Sequence, residues 1–365
     1  MPSMPDLTPE LKQKLNETDA ELARLIARRL ELARALGCDA LREARGPHEA
    51  GAELPKGLLG DVLARIAREA GRSAGAGPFP SSVENPRPVV IVGGAGGMGR
   101  QLRSHFERSG WPVRILERDD WDRAGEILEG AGTVIVSVPI DVTGAVISRL
   151  SGLIPKDALL TDVTSVKSGP VSAMMDAHPG PVAGLHPMFG PDVAGFGGQV
   201  FVYTPGRDAA AAAPLIEQIR IWGARICECT PEEHDRAMAI IQALRHFTTY
   251  AYGVFLAKVH PDIRKILELS SPIYRLELEM VGRLFAQDPH LYADIILASP
   301  RNAELIREYV EGLWPELLVI AGRDREEFIR RFMAARAYFG DYAGQFMRES
   351  GVMLNLIQTE RAARG

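Results

Sequence analysis

Three stretches of this sequence carry residues whose types and spacing suit chemistry. The first is Gly94-Ala95-Gly96-Gly97-Met98-Gly99, a G-x-G-x-x-G that directly follows the apolar run VVIV starting at Val89. Between a buried strand and a helix, such a turn cradles a dinucleotide pyrophosphate. Gly94 then permits the tight turn, Gly96 lets the backbone approach the pyrophosphate, and Gly99 packs helix against strand, with Met98 in the same cofactor loop. The anion lies at the positive end of the helix dipole. A Gly-rich turn without a ligand is the competing reading, and the strand-turn-helix context argues against it. The second stretch places Glu117 at the end of the run VRIL, 18 residues past Gly99. A carboxylate there accepts from both adenosine ribose hydroxyls and repels a 2′-phosphate, which favours NAD over NADP. Arg118 beside it keeps NADP open, because an arginine there can accept that phosphate. Ser137 and Pro139 close the run TVIVSVP, where Pro139 reads as a nicotinamide wall. The third stretch is GLHPMFGPD, with His186 directly after PVAGL. A histidine at a strand end beside a nicotinamide can polarise a hydroxyl during hydride removal. It can equally be a structural loop histidine, but Pro187, Phe189, Gly190 and Pro191 around it suggest a rigidly held loop.

Elements must position these groups. From Val89 the chain alternates short β-branched runs with helical stretches: VVIV, VRIL, TVIVSV, ALLTDV, PVAGL and VFVY. Strands spaced by helices read as a mostly parallel α/β sheet of the Rossmann type over residues 88–230. Beyond Thr230 strand signals stop, and residues 231–365 read as an all-α substrate and dimerisation domain. Upstream, Leu11, Leu15, Leu22, Leu25, Leu32 and Leu36 form a three-four stripe on one long helix, after Thr8-Pro9 as its start. A second helix is expected near 58–69, giving a small helical domain over 1–70 that must pack on something else or dimerise. Residues 71–87, rich in Gly, Pro and Ser, read as a linker.

Composition excludes several functions. The 365 residues carry a net charge of -5, so nucleic acid is not expected as a partner. The basic residues are 35 Arg and 7 Lys, a bias that carries no function by itself. Cys38, Cys227 and Cys229 make no disulfide framework and no CxxC pair, and the latter two read as buried residues of a strand from Ala224 to Cys229. No apolar run approaches the roughly 20 residues of a membrane span, and no leader is evident, so the chain is expected in the cytoplasm.

Beyond these readings, RPVVIVGGAGGMGR, RILERDDWDRA, VIVSVPI, SVKSGP, GLHPMFGPD, IQALRHFTTYAYG and SSPIYRLELEMVGRLFAQDPHLYADII together resemble the prephenate dehydrogenase family. The resemblance runs over residues 86–350 and is specifically to the bifunctional T-protein type, a chorismate mutase fused to the dehydrogenase. It implies NAD as cofactor, no metal, a homodimer through the C-terminal helices, and a dianionic substrate. It implies His186 as the catalytic histidine at the ring carbon that loses hydride, with Ser165 assisting at the same substituent. Arg283 matches the arginine that holds a substrate carboxylate; Arg275 and Lys167 match supporting cations. His246 matches a histidine linked to substrate binding and tyrosine inhibition. A buried dianion needs fixed cations, and Arg275, Glu279 and Arg283 at i, i+4 and i+8 share roughly one helix face. For either arginine the competing partner is Glu279. Without the resemblance, His234 and His246 would each be ordinary helix histidines.

The N-terminal segment resembles the mutase half imperfectly. Arg29 sits in the apolar stripe, as a buried substrate-binding arginine of a mutase does. The family's first-helix arginine is replaced by Lys12, the lysine after the following turn falls near Ala40, and a late polar residue is Ala64. Mutase catalysis is electrostatic stabilisation of a dianionic transition state, so this half is expected to be inactive and kept for packing, dimerisation or regulation. The dehydrogenase then receives its substrate from elsewhere. Prephenate is expected, giving 4-hydroxyphenylpyruvate for tyrosine biosynthesis. The alternative is 4-amino-4-deoxyprephenate, on a route to 4-aminophenylalanine and antibiotics; arogenate is a third option. The first two differ only in the group on C4 that His186 would touch; Thr164 and Asp141 are local departures from the family pattern that do not decide between them. A non-catalytic, tyrosine-sensing protein on the same fold is the competing function class, and the intact glycines, Glu117, Ser165, His186 and Arg283 argue against it.

Overall fold

The computed structural model describes residues 13–14, 17–29, 32 and 78–362. Its centre is one sheet of seven strands: β1 (Val89–Val92), β2 (Val113–Leu116), β3 (Thr133–Val136), β4 (Leu159–Asp162), β5 (Val182–Pro187), β6 (Val200–Pro205) and β7 (Arg225–Glu228). Their order is β2-β1-β3-β4-β5-β6-β7. All neighbours are parallel except β5 and β6, which pair antiparallel. This is the Rossmann-type α/β sheet expected of the sequence. Every residue of β1, β3 and β4 is buried, as strands covered on both faces require. Side chains alternate between two cores. Val89 and Ile91 join Leu102, Phe106, Leu215, Ile219 and Trp222 on one face. Val90 and Val92 join Leu128, Ile147, Leu150 and Met174 on the other. Each such aliphatic burial contributes roughly 1.5–3 kcal/mol.

The helices that supply those faces are α1 (Gly97–Arg108), α2 (Ala124–Leu128), α3 (Ile140–Arg149), α4 (Ser168–Ala177) and α5 (Ala213–Ile221). The chain divides into two compact units, Met1–His234 and Asp235–Gly365.

Two local expectations are corrected. Residues 78–87, expected as the end of a linker, form a strap pinned to the first unit. The Phe79 amide donates to the Arg108 carbonyl at 3.0 Å. The Phe79 ring packs on the core, stacks on His105 at 5.6 Å and lies under the Arg108 guanidinium at 4.2 Å. The Ser82 amide donates to Gln218 Oε1 at 2.8 Å, and Gln218 Nε2 donates to the Pro80 carbonyl at 3.1 Å. Cys227, expected to be buried, is exposed, and Cys229 is half-buried. The reason is that β7 is an edge strand, shorter than expected, with Ile226 half-buried and Glu228 exposed on either side of Cys227.

The helical stretch at 17–29 matches the long N-terminal helix as far as it is described. Leu22, Leu25 and Leu32 of its stripe are exposed, and Arg29 is half-buried. The expected second helix, residues 71–77, Lys12, Ala40 and Ala64 lie outside the described residues.

After α6 (Pro231–Met238), the second unit is helical, as expected: α7 (Arg245–Val259), α8 (Ile263–Leu269), α9 (Pro272–Phe285), α10 (Pro289–Leu297), α11 (Pro300–Ala321), α12 (Arg325–Phe339) and α13 (Asp341–Ala362). The sequence starts these helices with side-chain caps. Asp262, Ser271, Asp288, Ser299 and Asp324 each accept a first-turn backbone N–H, and proline follows three of them at the first helical position. The unit leaves large apolar side chains uncovered, among them Trp314, Leu317, Phe332, Tyr338 and Met347. Among the described residues no helix is long and apolar enough to cross a membrane.

Candidate active site

The carboxyl edge of the parallel strands carries the predicted groups in spatial order. Glu117 follows β2, the Gly-rich turn follows β1, Ser137 and Pro139 follow β3, Ser165 follows β4, and His186 is the penultimate residue of β5. At about 4.8 Å per strand, the edge from β2 to β5 spans about 19 Å, the reach of an extended dinucleotide.

At β1 the glycines make a cradle. The positive φ is at Gly93 (82°), not at Gly94, so the tight turn belongs to Gly93. Gly94 serves close approach instead: a Cβ there would lie 2.4 Å from Ile115 Cγ2 of β2. A Cβ on Gly99 would lie 2.5 Å from the Gly93 carbonyl oxygen, which fits its expected packing role. Gly96 is the N-cap of α1 and brings no side-chain hydrogen bond to it. First-turn amides that no N-cap side chain takes suit an anion. Met98 packs half-buried against the core beside this turn. Glu117 Oε1 accepts from the Ala95 amide at 2.7 Å, which sets its carboxylate at the mouth of the cradle. The Glu117 amide is held in turn by Asp120 Oδ2 at 3.1 Å. With glycines at the helix start and an acid after the next strand, this edge fits NAD.

Ser137 continues the sheet, its amide donating to the Val92 carbonyl at 2.8 Å. Pro139 is exposed and caps the start of α3. Ser165 sits half-buried in the bend between β4 and α4.

His186 is better held than a loop residue. β4 pairs with β5 only as far as Gly184, whereas β6 pairs with β5 through His186 and Pro187. The histidine therefore extends past the parallel edge while still inside a ladder. It is 4% exposed, and its Nδ1 lies 2.8 Å from Nε2 of His234, itself 1% exposed. Sequence reasoning missed His234. The available signal was local: Thr230 and Glu233 form a reciprocal capping box, with Glu233 N to Thr230 Oγ1 at 3.2 Å and Thr230 N to Glu233 Oε2 at 2.9 Å. It starts the helix Pro231–Met238 and so fixes His234 in a first turn. Nothing local announces its partner 48 residues away.

Lys167, expected as a supporting cation for substrate, is corrected. It is fully buried, ion-paired with Asp162, and donates to the Leu185 carbonyl at 2.7 Å. Thr164 Oγ1 donates to the same Asp162 carboxylate and lies 2.9 Å from the Val166 carbonyl. A buried charge needs such compensation, so Lys167 serves the frame of the site.

The remaining predicted residues lie in the second unit. His246 is half-buried on α7, with its ring edge-on to Tyr292 at 4.9 Å. Burial, and secondarily Arg245, lowers its pKa. Arg275 and Arg283 lie on α9, and Arg283 is exposed in its last turn. Arg275 Nε lies 3.5 Å from Glu279, the intrahelical pairing its spacing allowed. Among the described residues no group of His, Cys, Asp and Glu is arranged to hold a metal.

Residues 117–228 match the prephenate dehydrogenase nucleotide-binding domain, and residues 230–334 match the prephenate dehydrogenase dimerization domain. The chain is 43% identical to the T-protein of Enterobacter agglomerans, over 96% of this chain and 98% of that protein. It is 41% identical to the T-protein of Haemophilus influenzae, over 94% of this chain and 96% of that one. Among solved structures it resembles a prephenate dehydrogenase from A. aeolicus, in complex with hydroxyphenyl propionate and NAD+. That match has TM-score 0.52 and 20% identity, and it covers 71% of this chain and 100% of that one. The chain belongs to the prephenate dehydrogenase family, in its T-protein form.

Proposed function

We propose that this protein oxidatively decarboxylates prephenate to 4-hydroxyphenylpyruvate, the dehydrogenase step of tyrosine biosynthesis. The observation that carries it is the single sheet edge on which Glu117, the glycine cradle, Ser165 and the buried, ladder-held His186 follow one another. NAD supplies the acceptor for the hydride that leaves C4. His186 and Ser165 engage the C4 hydroxyl. Drawing its proton toward His186 raises electron density on oxygen, which stabilises the developing positive charge at C4. The bond from the ring to its carboxylate breaks, CO2 leaves, and that electron pair completes the aromatic ring. The hydroxyl keeps its proton in the phenol product, so His186 polarises the group without net transfer. We assign Arg283 to a substrate carboxylate, with Arg275 as a supporting cation and His246 in substrate and tyrosine binding. We also assign the exposed apolar side chains of the second unit to a homodimer, and the protein to the cytoplasm, where NAD is supplied. We take the N-terminal segment to lack mutase activity, a reading that measurable chorismate turnover would refute.

The test is NADH production with prephenate, 4-amino-4-deoxyprephenate and arogenate side by side. Prephenate is expected to be turned over fastest. The Thr164 hydroxyl is committed to Asp162, which supports no role for it in choosing the amine. His186→Asn is expected to lose turnover by about 10²–10⁴-fold with NAD affinity unchanged. A normal rate in that variant sinks the assignment.

A further inference from the structure

The chain does not return to the sheet directly after His186. β5 and β6 are antiparallel neighbours, and such neighbours need only roughly two to five residues between them. Residues 188–199 join them instead. The ends of this connection are anchored. The Met188 amide donates to the Val200 carbonyl at 2.9 Å, and the rings of Phe189 and Phe196 pack in the core of the sheet unit. Its tip lies on α1. Gln101, in the second turn of that helix, donates from Nε2 to the Pro191 carbonyl at 3.0 Å and to the Val193 carbonyl at 3.2 Å. Only the NH2 end of an amide can meet two carbonyl oxygens, so the acceptors fix its orientation. One turn further along, His105 stacks on Phe196 at 3.8 Å. One turn earlier, Pro191 stands against Gly97, the first residue of α1: a Cβ on Gly97 would lie 2.9 Å from Pro191 Cγ.

We propose that Gln101 is a positioning residue that holds the connection after His186 against α1, making Pro191 a wall of the nucleotide cradle and joining that cradle to the catalytic strand end. Pro191 and Asp192 are exposed, so burial does not hold the tip in place. Gln101 supplies two hydrogen bonds instead, to carbonyls two residues apart, which fix both the place and the slant of the tip. The helix that carries Gln101 is the one whose first turn is assigned to the pyrophosphate, so cradle and tip share one support. The stretch between the tip and His186 is stiff: it contains Pro187, and Phe189 packs edge-on to Phe201 at 5.2 Å. A displaced tip is therefore felt at the strand end, and an offset of about 1 Å between reacting groups costs about 10² in rate. Coupling of this kind is reciprocal, so a tip that favours NAD is itself steadied when NAD binds.

The inference rests on NAD lying at the start of α1 and on His186 acting at C4; NAD titration and turnover of the wild type test that reading by themselves. Full-length protein is assayed with whichever of the three acids the wild type oxidises. Gln101→Leu keeps most of the side-chain volume and loses both donors. Its NAD dissociation constant is expected to rise about tenfold, as two modest hydrogen bonds allow, and its kcat at saturating NAD to fall by about 10²-fold. Gln101→Asn, with the same donors on a shorter arm, is expected to fall between Leu and wild type. A role in stability alone lowers the unfolding temperature and leaves kcat at saturating NAD unchanged; that result overturns the proposal. A second measurement needs no variant. Amide hydrogen exchange of residues 190–195 in the wild type is expected to slow about tenfold when NAD saturates the protein. Residues 151–157, which precede β4 at the opposite sheet edge, are expected to keep their rate. No slowing at 190–195, or the same slowing at both places, overturns the proposal.

Discussion

Lys167 Nζ donates to the carbonyl oxygen of Leu185 at 2.7 Å, one residue before His186. The same ammonium pairs with Asp162 at the end of β4, two residues beyond which Thr164 enters the cluster beside Ser165. One buried cation thus joins the turn that carries Ser165 to the strand that carries His186. The other Asp162 oxygen, Oδ1, has no hydrogen-bond partner among the described residues. Lys167→Met would strand the carboxylate in the core. A loss of about 3–5 kcal/mol is expected in urea or thermal unfolding. A variant as stable as wild type would show that the pair contributes nothing net.

We assign the nucleotide preference to Glu117, whose carboxylate accepts from the Ala95 amide of the glycine turn. Glu117→Ser removes the repulsion toward a 2′-phosphate beside Arg118. Titration is expected to show NAD binding weakened about tenfold and NADP binding strengthened, with the kcat of the loaded enzyme little changed. An unaltered NAD-to-NADP ratio would contradict the assignment.

Gly99 is intolerant of any side chain. A Cβ would come within 2.5 Å of the Gly93 carbonyl oxygen and 2.8 Å of the Gly94 Cα, both backbone atoms. Gly99→Ala is therefore expected to displace the turn from α1 and to raise the dissociation constant for NAD by roughly 10²-fold or more, or about 3 kcal/mol. Gly125→Ala, which meets open space, is the matched control.

His105 makes stability depend on pH. Its ring is packed on Phe196 at 3.8 Å. Desolvation, against the Gln101 carbonyl and with help from Arg108, lowers its pKa to about 4. Between that value and the unfolded pKa of roughly 6.5, only the unfolded chain binds the proton. The stabilisation is complete above about pH 6.5 and is lost as pH falls toward 4, to a total of about 3 kcal/mol. Unfolding free energies measured between pH 7 and pH 4 are expected to show this slope in wild type and not in His105→Phe. Identical slopes would assign it to other groups.

The parallel strands were legible because VVIV is apolar throughout and TVIV is apolar after Thr133, as a doubly covered strand requires. The nucleotide cradle was legible because its glycines follow such a strand. Legibility failed where tertiary partners decide. The left-handed residue is Gly93 rather than Gly94, because the closing contacts come from Ser137 and Ile115 on neighbouring strands. Lys167 reads as an available cation until Asp162 and Leu185 are seen around it. Cys227 reads as buried until β7 is placed at the sheet edge. For His234 the capping box marks only the helix start, since its partner lies on a distant strand.

The strap over residues 78–83 changes where this polypeptide can be recombined. Phe79 contributes to the same core as Val89, and Gln218 clasps both Pro80 and Ser82. A swap made at Val89, where the first strand begins, would therefore remove part of the hydrophobic interior of the sheet unit along with the segment being exchanged. Chimeras joining a foreign N-terminal partner upstream of Pro78 keep that interior whole, so the natural seam for grafting lies about ten residues ahead of the first strand.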